Sequence, residues 1–169
     1  MMKISLLSIL LTLFLCAALF ANENKGNIEV KPSESIRFGN YIISLEDAIK
    51  IEAYGTISLR KQLNGGNSIV KYSNGIILQY DTNGKIVFAG LSTNSPLIKF
   101  KDKLFKVSDK SSVSKLLGSA SSVVPVTSKD LYPESYELNI YAKDGISFQY
   151  DEDGKVTVVM VFKPALFGN

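Results

Sequence analysis

The sequence predicts an α+β fold built from two tandem repeats, each with a β-hairpin, one helix and an antiparallel meander sheet. Three observations support this prediction. Residues 75–86, GIILQYDTNGKI, recur as residues 145–156, GISFQYDEDGKV, and such a recurrence indicates one structural unit used twice. Short apolar stretches alternate with Asn-Gly and Asp-Gly pairs, which favour tight turns between strands. Two segments with helix-start signals each end at a glycine.

The first 21 residues have the pattern of a secretory signal peptide. Lys3 precedes an apolar run that ends at Ala21, and polar residues follow. We expect cleavage after Ala21, although cleavage after Ala18 fits the small-residue rule for cleavage sites. The run is also long enough to act as an uncleaved membrane anchor. A further alternative is lipid attachment at Cys16, although the apolar run continues past this cysteine.

The composition argues against several kinds of chemistry. The chain of 169 residues contains no histidine and one cysteine, which lies in the predicted signal peptide. Histidine is the commonest general base and metal ligand, and thiol catalysis and tetrahedral zinc sites depend on cysteine or histidine. The formal net charge is +3, with no basic cluster of the kind that nucleic-acid binders carry. We therefore predict no catalytic residue, no metal, no cofactor and no nucleic-acid partner.

A polar lead-in precedes the first predicted hairpin. Residues 22–35 contain Pro32 and are expected to be flexible. The first repeat, residues 36–90, then opens with a hairpin around Gly39-Asn40. Its register brings four apolar side chains to one face: Ile36, Phe38, Tyr41 and Ile43. The second repeat, residues 97–163, opens in the same way, with its turn around residues 101 and 102.

A helix is predicted after each hairpin. Each has a polar N-cap, apolar residues at helical spacing and a terminal glycine. The expected caps, helices and terminal glycines are Ser44, 45–54 and Gly55 in the first repeat, and Ser108 or Asp109, 110–117 and Gly118 in the second.

A four-stranded meander closes each predicted repeat. The expected strands are residues 56–62, 68–72, 76–80 and 85–89 in the first repeat, and 122–127, 136–141, 146–150 and 155–162 in the second. Residues 91–96 form a linker so short that the two sheets should abut or merge, and residues 164–169 form a tail. The last strand is apolar at nearly every position, so we expect both of its faces to be covered, by a neighbouring unit, a helix or a partner chain.

The acidic segments starting at Asp81 and Asp151 resemble calcium loops only superficially. In each, glycine comes at the fourth residue, and no glutamate follows at the distance that an EF-hand loop requires. We interpret both as hairpin turns. Most other carboxylates fall at predicted turns and helix starts, where solvent contact argues against an acid–base role.

The repeated Gln-Tyr pair suggests a binding surface. Alternation along a strand puts Gln79 and Gln149 on the sheet face opposite the apolar residues of the same strands. One interpretation is that these glutamines are solvated surface residues. The other is that they form a concave surface shared by both repeats, with the loop at residues 128–135 carrying specificity. The candidate partner-binding residues are Gln79, Gln149, Tyr132, Tyr136, Tyr72 and Tyr141.

The order of helix, glycine and meander, with Leu116-Leu117-Gly118 ahead of the strands and an Asp-Glu-Asp-Gly turn between the last two, resembles two exported bacterial groups. One is the tandem-repeat β-lactamase-inhibitor proteins, and the other is the small outer-membrane assembly lipoproteins. The resemblance implies a helical element packed on a meander sheet and a role in protein binding. This chain differs in the hairpin before each helix, the lack of disulfides and the lack of a clear lipid-attachment motif.

The sequence therefore favours an exported, non-enzymatic module of the bacterial envelope or medium that binds a protein partner. One alternative is an envelope structural or assembly component, tethered to a membrane through an uncleaved or Cys16-lipidated N-terminus. Another is a carrier of a small ligand, which would require a cavity between the structural elements. We expect contact with a membrane only through the N-terminal segment.

Overall fold

A computed structural model describes residues 28–93 and 96–167 of the chain. The predicted signal peptide with Cys16, residues 22–27 of the predicted lead-in, part of the predicted linker and the last two residues of the predicted tail lie outside these ranges. In chain order the strands are β1 (Glu29–Lys31), β2 (Ser35–Phe38), β3 (Tyr41–Ser44), β4 (Ile57–Gln62), β5 (Ser68–Tyr72), β6 (Ile76–Tyr80), β7 (Ile86–Ser92), β8 (Leu97–Phe100), β9 (Lys103–Lys106), β10 (Ser122–Pro125), β11 (Glu137–Tyr141), β12 (Ile146–Tyr150) and β13 (Val156–Phe162). The α-helix of this part of the chain, α1, spans Lys110–Leu117.

The strands form two sheets, so the fold is mixed α+β and mostly β. The larger sheet has eight strands in the order β10-β11-β12-β13-β7-β6-β5-β4. It consists of two four-stranded meanders joined where β13 pairs antiparallel with β7, for example at Val159 with Leu91. The expectation that the two sheets abut or merge is confirmed, because a strand at the end of each meander supplies the other with a hydrogen-bonded neighbour.

The smaller sheet has five strands in the order β3-β2-β1-β8-β9. Both predicted hairpins are confirmed, and Phe38 faces Tyr41 and Ile36 faces Ile43 as expected. The flexible lead-in is wrong for residues 29–31. They form β1, which pairs antiparallel with β2 and parallel with β8 and so links the two hairpins. Val30 is fully buried at its centre, and this apolar residue explains why the segment is ordered.

The main core lies between the two sheets. One face of the larger sheet packs its apolar side chains against the smaller sheet and α1. Among these side chains are Leu78 and Phe148 of the two similar segments, both fully buried. The strand alternation that the sequence predicts for these segments is confirmed, because the glutamines next in sequence point to the other face.

The second predicted helix is confirmed and the first is wrong. Asp109 caps α1, and its carboxylate accepts a hydrogen bond from Ser112 N at 2.8 Å. Residues 45–54 instead form only a 3₁₀ turn at Ile51–Tyr54, and the expected cap Ser44 is the last residue of β3.

The two segments differ at the position that caps the helix. Asp109 forms an isolated bridge with Lys155, and Ala48 forms the corresponding bridge with Lys85. Alanine cannot accept a hydrogen bond through its side chain, so a helix start at this position lacks its cap. Both segments bond to their turns in the same way, through Ile49 N to Gly84 O at 2.8 Å and through Lys110 N to Gly154 O at 3.1 Å. The first segment adds a 2.8 Å bond from Glu46 N to Ile86 O.

The turns after β6 and β12 are hairpin turns, as predicted. The Asp81 carboxylate accepts a hydrogen bond from Lys85 N at 2.9 Å, and the Asp151 carboxylate accepts one from Lys155 N at 2.8 Å. A register shift precedes each turn, between the glutamine and the tyrosine of the Gln-Tyr pair. The two acidic segments therefore use their carboxylates to close turns.

Candidate binding surface on the central sheet

The larger sheet has an outer face, which we define as the side that points away from the smaller sheet. A second apolar cluster lies here, formed by Ile69, Ile77, Leu131, Val158 and Met160. Val158 and Met160 belong to β13, whose other face is in the main core. Both faces of this strand are thus covered, as its continuous apolar sequence predicts.

The outer face is covered in part by residues 128–135, which we call the strap. The strap connects β10 to β11, whereas the matching strands β4 and β5 are joined by the much shorter segment 63–67. Leu131 anchors the strap, since its side chain is 4% exposed within the second cluster. Burial of a leucine contributes about 1.5–3 kcal/mol, so apolar packing at Leu131 helps to hold the strap.

Polar contacts hold the strap on both halves of the sheet. Lys61 Nζ lies 3.0 Å from the Asp130 carboxylate, and Lys71 Nζ donates to Leu131 O at 2.8 Å. On the other half, the hydroxyls of Ser135 and Thr157 are 2.7 Å apart. The strap therefore bridges the two meanders.

The strap leaves two pockets on the outer face. The larger has a volume of about 570 Å³ and lies between the strap and strands β4 and β5, with Lys71 and Asp130 among its lining residues. The smaller has a volume of about 240 Å³ and lies over the junction of the two meanders. Tyr132 of the strap lines both pockets, so it separates two adjoining recesses.

The smaller pocket brings together three residues predicted as binding candidates: Gln79, Gln149 and Tyr132. Its other lining residues are mostly apolar: Ile69, Ile77, Phe88, Gly90, Leu138, Ile140 and Met160. Gln149 is only 2% exposed, so the interpretation of both glutamines as solvated surface residues is wrong for this one. The strap that buries it could not be placed from strand alternation.

Burial changes the acid–base behaviour of the strap tyrosine. Burial raises the pKa of Tyr132 to about 12, and a hydrogen bond with the side chain of Gln149 offsets part of this rise. The hydroxyl donates to Met160 Sδ at 3.8 Å. Tyr132 is therefore neutral at physiological pH and serves the pocket as a hydrogen-bonding group rather than as a base.

The remaining candidates are not on this surface. Tyr136 is 52% exposed at the end of the strap, with Lys129 Nζ 4.1 Å from its ring centre. Tyr72 and Tyr141 lie in the main core and are 1% and 4% exposed, so their selection as partner-binding residues is wrong. They occupy the inward positions of β5 and β11, and the Tyr72 hydroxyl is used in a 2.7 Å bond to Ile51 O.

Sequence reasoning missed several residues that shape the pockets. Lys71 was not distinguishable from the other lysines, because its contact with the strap joins distant parts of the chain. Gly90 is the other omission. A Cβ atom at this position would lie 2.7 Å from Met160 Cγ, so the missing side chain makes room for Met160. A glycine within an apolar strand was the available signal.

In the ranges that the structure describes, no three His, Cys, Asp or Glu side chains are grouped so that they could hold a metal ion. The same ranges include no helix that is both long and apolar enough to cross a membrane.

Comparisons with known proteins identify no relative. No protein-family model, curated protein or solved structure matches the chain.

Proposed function

We propose that this chain is an exported, non-catalytic module that binds a protein partner through the outer face of its larger sheet. The observation that carries this proposal is the smaller pocket. Gln79 and Gln149, which occupy the same place in two similar segments, line it together with Tyr132 of the strap. Because the pocket spans the junction of the meanders, both halves of the chain contribute to one surface.

The composition of this surface resembles the centre of a protein interface. Such centres are apolar, contain aromatic residues and few charges, and are surrounded by a polar rim. Phe88, Met160 and Tyr132 supply the apolar centre. Lys71 and Asp130 supply charges beside it. A partner that covers both pockets would bury this centre and leave the rim in contact with solvent.

A face suits a partner better than an edge of the larger sheet. Edge strands recruit other strands unless charge, proline or irregularity prevents it. The edge strand β4 carries Arg60 and Lys61 and contains a register shift. The opposite edge strand, β10, ends at Pro125, which has no backbone N–H to donate. These features disfavour strand addition along β4 and at the Pro125 end of β10.

The roles of the perturbed carboxylates support a non-catalytic function. Backbone hydrogen bonds lower the pKa of Asp81 at its turn and of Asp109 at its helix cap. A hydrogen bond from Lys61 lowers the pKa of Asp130. Each of these groups has a structural partner, and none has the raised pKa that suits a general acid near neutral pH.

The proposal includes the tandem-repeat origin of the chain. The two hairpins, the two bridges at Ala48 and Asp109, and the two register shifts after glutamine support two copies of one unit. The second copy would have gained the strap. Membership of an exported bacterial group similar to the β-lactamase-inhibitor proteins or the small assembly lipoproteins remains part of this proposal.

A second candidate is a small-ligand carrier, which the larger pocket of about 570 Å³ favours because ligand pockets typically measure about 300–1,000 Å³. Membrane tethering through the N-terminus would instead make the chain an envelope assembly component. Mass spectrometry of the mature N-terminus distinguishes cleavage after residue 21 from retention or lipidation at Cys16.

Site-specific photo-crosslinking in the host that naturally produces the protein tests the binding face. A photoreactive amino acid is placed at Ser58 or Glu134, which are exposed beside the larger pocket. Leu104, 56% exposed on β9 of the smaller sheet, is the matched control. We expect one discrete adduct from Ser58 and Glu134 and none from Leu104. Adducts from Leu104 alone, or equally from all three positions, would contradict the proposed face.

A further inference from the structure

One polar atom in the smaller pocket has no partner. Gln149 Oε1 is buried and has no hydrogen-bond partner among the described residues, and the whole residue is 2% exposed. A buried acceptor without a donor is costly, and such groups are rare enough in folded proteins to require an explanation. This acceptor lines a recess otherwise formed mainly by apolar side chains, so an occupant with a donor would satisfy it.

The volume of the pocket limits the occupant. An apolar cavity of about 150 Å³ accommodates benzene, and the pocket here measures about 240 Å³. It is smaller than the sites of about 300–1,000 Å³ that hold drug-sized ligands. The pocket therefore suits one ring system somewhat larger than benzene.

The chemistry of the lining narrows the choice further. Phe88, Ile140 and Met160 provide apolar and polarisable contacts, which suit an aromatic ring. An aliphatic side chain would leave Gln149 Oε1 unpaired, and a lysine would bring a charge into an apolar recess. Tryptophan combines a large ring with a side-chain N–H that only donates.

We infer that this pocket receives a tryptophan side chain of the protein partner, with the indole N–H donating to Gln149 Oε1. The inference rests on the proposed function, since it names the group by which the partner would be anchored. The chain itself contains no tryptophan, so neither a second copy nor another segment of this chain can supply the group. Tryptophan is also enriched among the residues that dominate binding energy at interfaces.

The lack of tryptophan makes the test direct. N-acetyl-tryptophanamide serves as the probe, because excitation at a wavelength selective for indole reports the probe alone. We expect a blue shift of its emission on binding, with a dissociation constant of about 1 mM for a group of this size. The probe methylated at the indole nitrogen is the matched control, and it should bind roughly tenfold more weakly because it cannot donate.

A variant of the pocket provides the second measurement. Gln149→Met keeps the length of the side chain and removes the acceptor. It should fold at least as stably as the parent, since it removes an unsatisfied buried group, and urea unfolding checks this. The variant should bind both probes with similar affinity. Equal binding of both probes to the parent, or no shift at any soluble probe concentration, would overturn the inference.

The crosslinking experiment separates the two proposals. If crosslinks at Ser58 and Glu134 identify a partner, and replacing each exposed tryptophan of that partner by phenylalanine leaves its affinity unchanged, the tryptophan inference fails and the proposed face stands. If the probe binds with the expected dependence on its N–H but neither position yields a crosslink, the pocket is a site for small indolic molecules. In that case the protein-binding function and the inference of a partner's tryptophan both fail.

Discussion

Replacing Gly145 by alanine should destabilise the fold far more than replacing Gly75, its counterpart in the first similar segment. Gly145 has a left-handed conformation, with φ of 61° and ψ of 40°, and Gly75 has a φ of 90°. Both substitutions therefore incur the penalty for an alanine at positive φ, about 1–2 kcal/mol. Reduced freedom of the unfolded chain offsets about 0.4–1 kcal/mol of it.

The surroundings of the two glycines differ. A Cβ atom at Gly145 would collide with Ser33 Oγ and with the carbonyl oxygen of Phe162, whereas the nearest atoms to one at Gly75 belong to Ser92, at 3.4 Å. Phe162 O is a backbone atom within β13, so it cannot move without disturbing the sheet. Overpacking of this kind costs about 1–3 kcal/mol. We expect a loss of about 2–4 kcal/mol for Gly145→Ala and about 1 kcal/mol for Gly75→Ala.

Urea unfolding of the two variants and the parent measures this difference, with one common dependence of the unfolding free energy on urea concentration. A loss of about 2–4 kcal/mol is a large part of the 5–15 kcal/mol that stabilises a typical protein, so the midpoint shift should be easily resolved. The reasoning rests on the close approach of the Ser33 segment to residue 145, where Ser33 N donates to Gly145 O at 3.2 Å. Equal losses for the two variants, within about 0.5 kcal/mol, would refute it.

Three further predictions concern ionisable groups. Asp109→Ala should reduce the helical signal in far-UV circular dichroism, whereas Asp109→Asn should retain it at neutral pH. The pKa of Asp109 in the folded protein is lowered from 3.8, so the ionised carboxylate stabilises the fold above pH 3.8, and this contribution is lost as the pH falls through the folded pKa. The melting temperature of the parent should therefore fall more on acidification than that of Asp109→Asn, and a smaller fall would contradict this reasoning. Lys61→Met should raise the pKa of Asp130 toward 3.8, as followed by NMR titration, because Lys61 is the main cause of its depression; an unchanged pKa would show that the ion pair does not hold the strap. Tyr132→Phe should remove one phenol that ionises near pH 12 from a spectrophotometric titration and leave the number ionising near pH 10 unchanged. Because the pKa of Tyr132 is raised in the folded protein, its neutral hydroxyl contributes fully to stability below pH 10, and this contribution is lost as the pH rises toward 12.

Local signals in the sequence predicted most strands correctly. The hairpin register of Ile36 and Ile43 followed from alternation around a two-residue turn. The strands β5, β6 and β12 have the bounds expected from their flanking turns. These features depend on neighbours within about ten residues, so short-range rules were sufficient.

The helix predicted over residues 45–54 shows where such signals fail. Its acidic first turn and terminal Gly55 favour a helix. At the position that Asp109 occupies in the second segment, the first has Ala48, which cannot cap a helix through its side chain. The flexible lead-in failed for a different reason, because Val30 is buried only once β2 and β8 lie on either side of it.

The candidate site was predictable in part. Strand periodicity alone put Gln79 and Gln149 on one face, and the excess length of the second meander pointed to the loop that carries Tyr132. Neither signal indicated that β7 and β13 would pair, which is the step that brings the two halves into one sheet. Tyr72 and Tyr141 were selected by residue type alone, because tyrosine is enriched in binding hot spots, and their inward positions put them in the core.

The sequence by itself determined the two meanders, their tight turns and the face on which each glutamine lies, because alternation and turn chemistry act between neighbours along the chain. Only the tertiary structure decided that the meanders merge into one sheet rather than merely abut, that the strap buries Gln149, and that Tyr132 closes a pocket over the junction. These features depend on which apolar surfaces find each other across long chain separations. That choice is made by packing of the whole chain and is not encoded in any short segment.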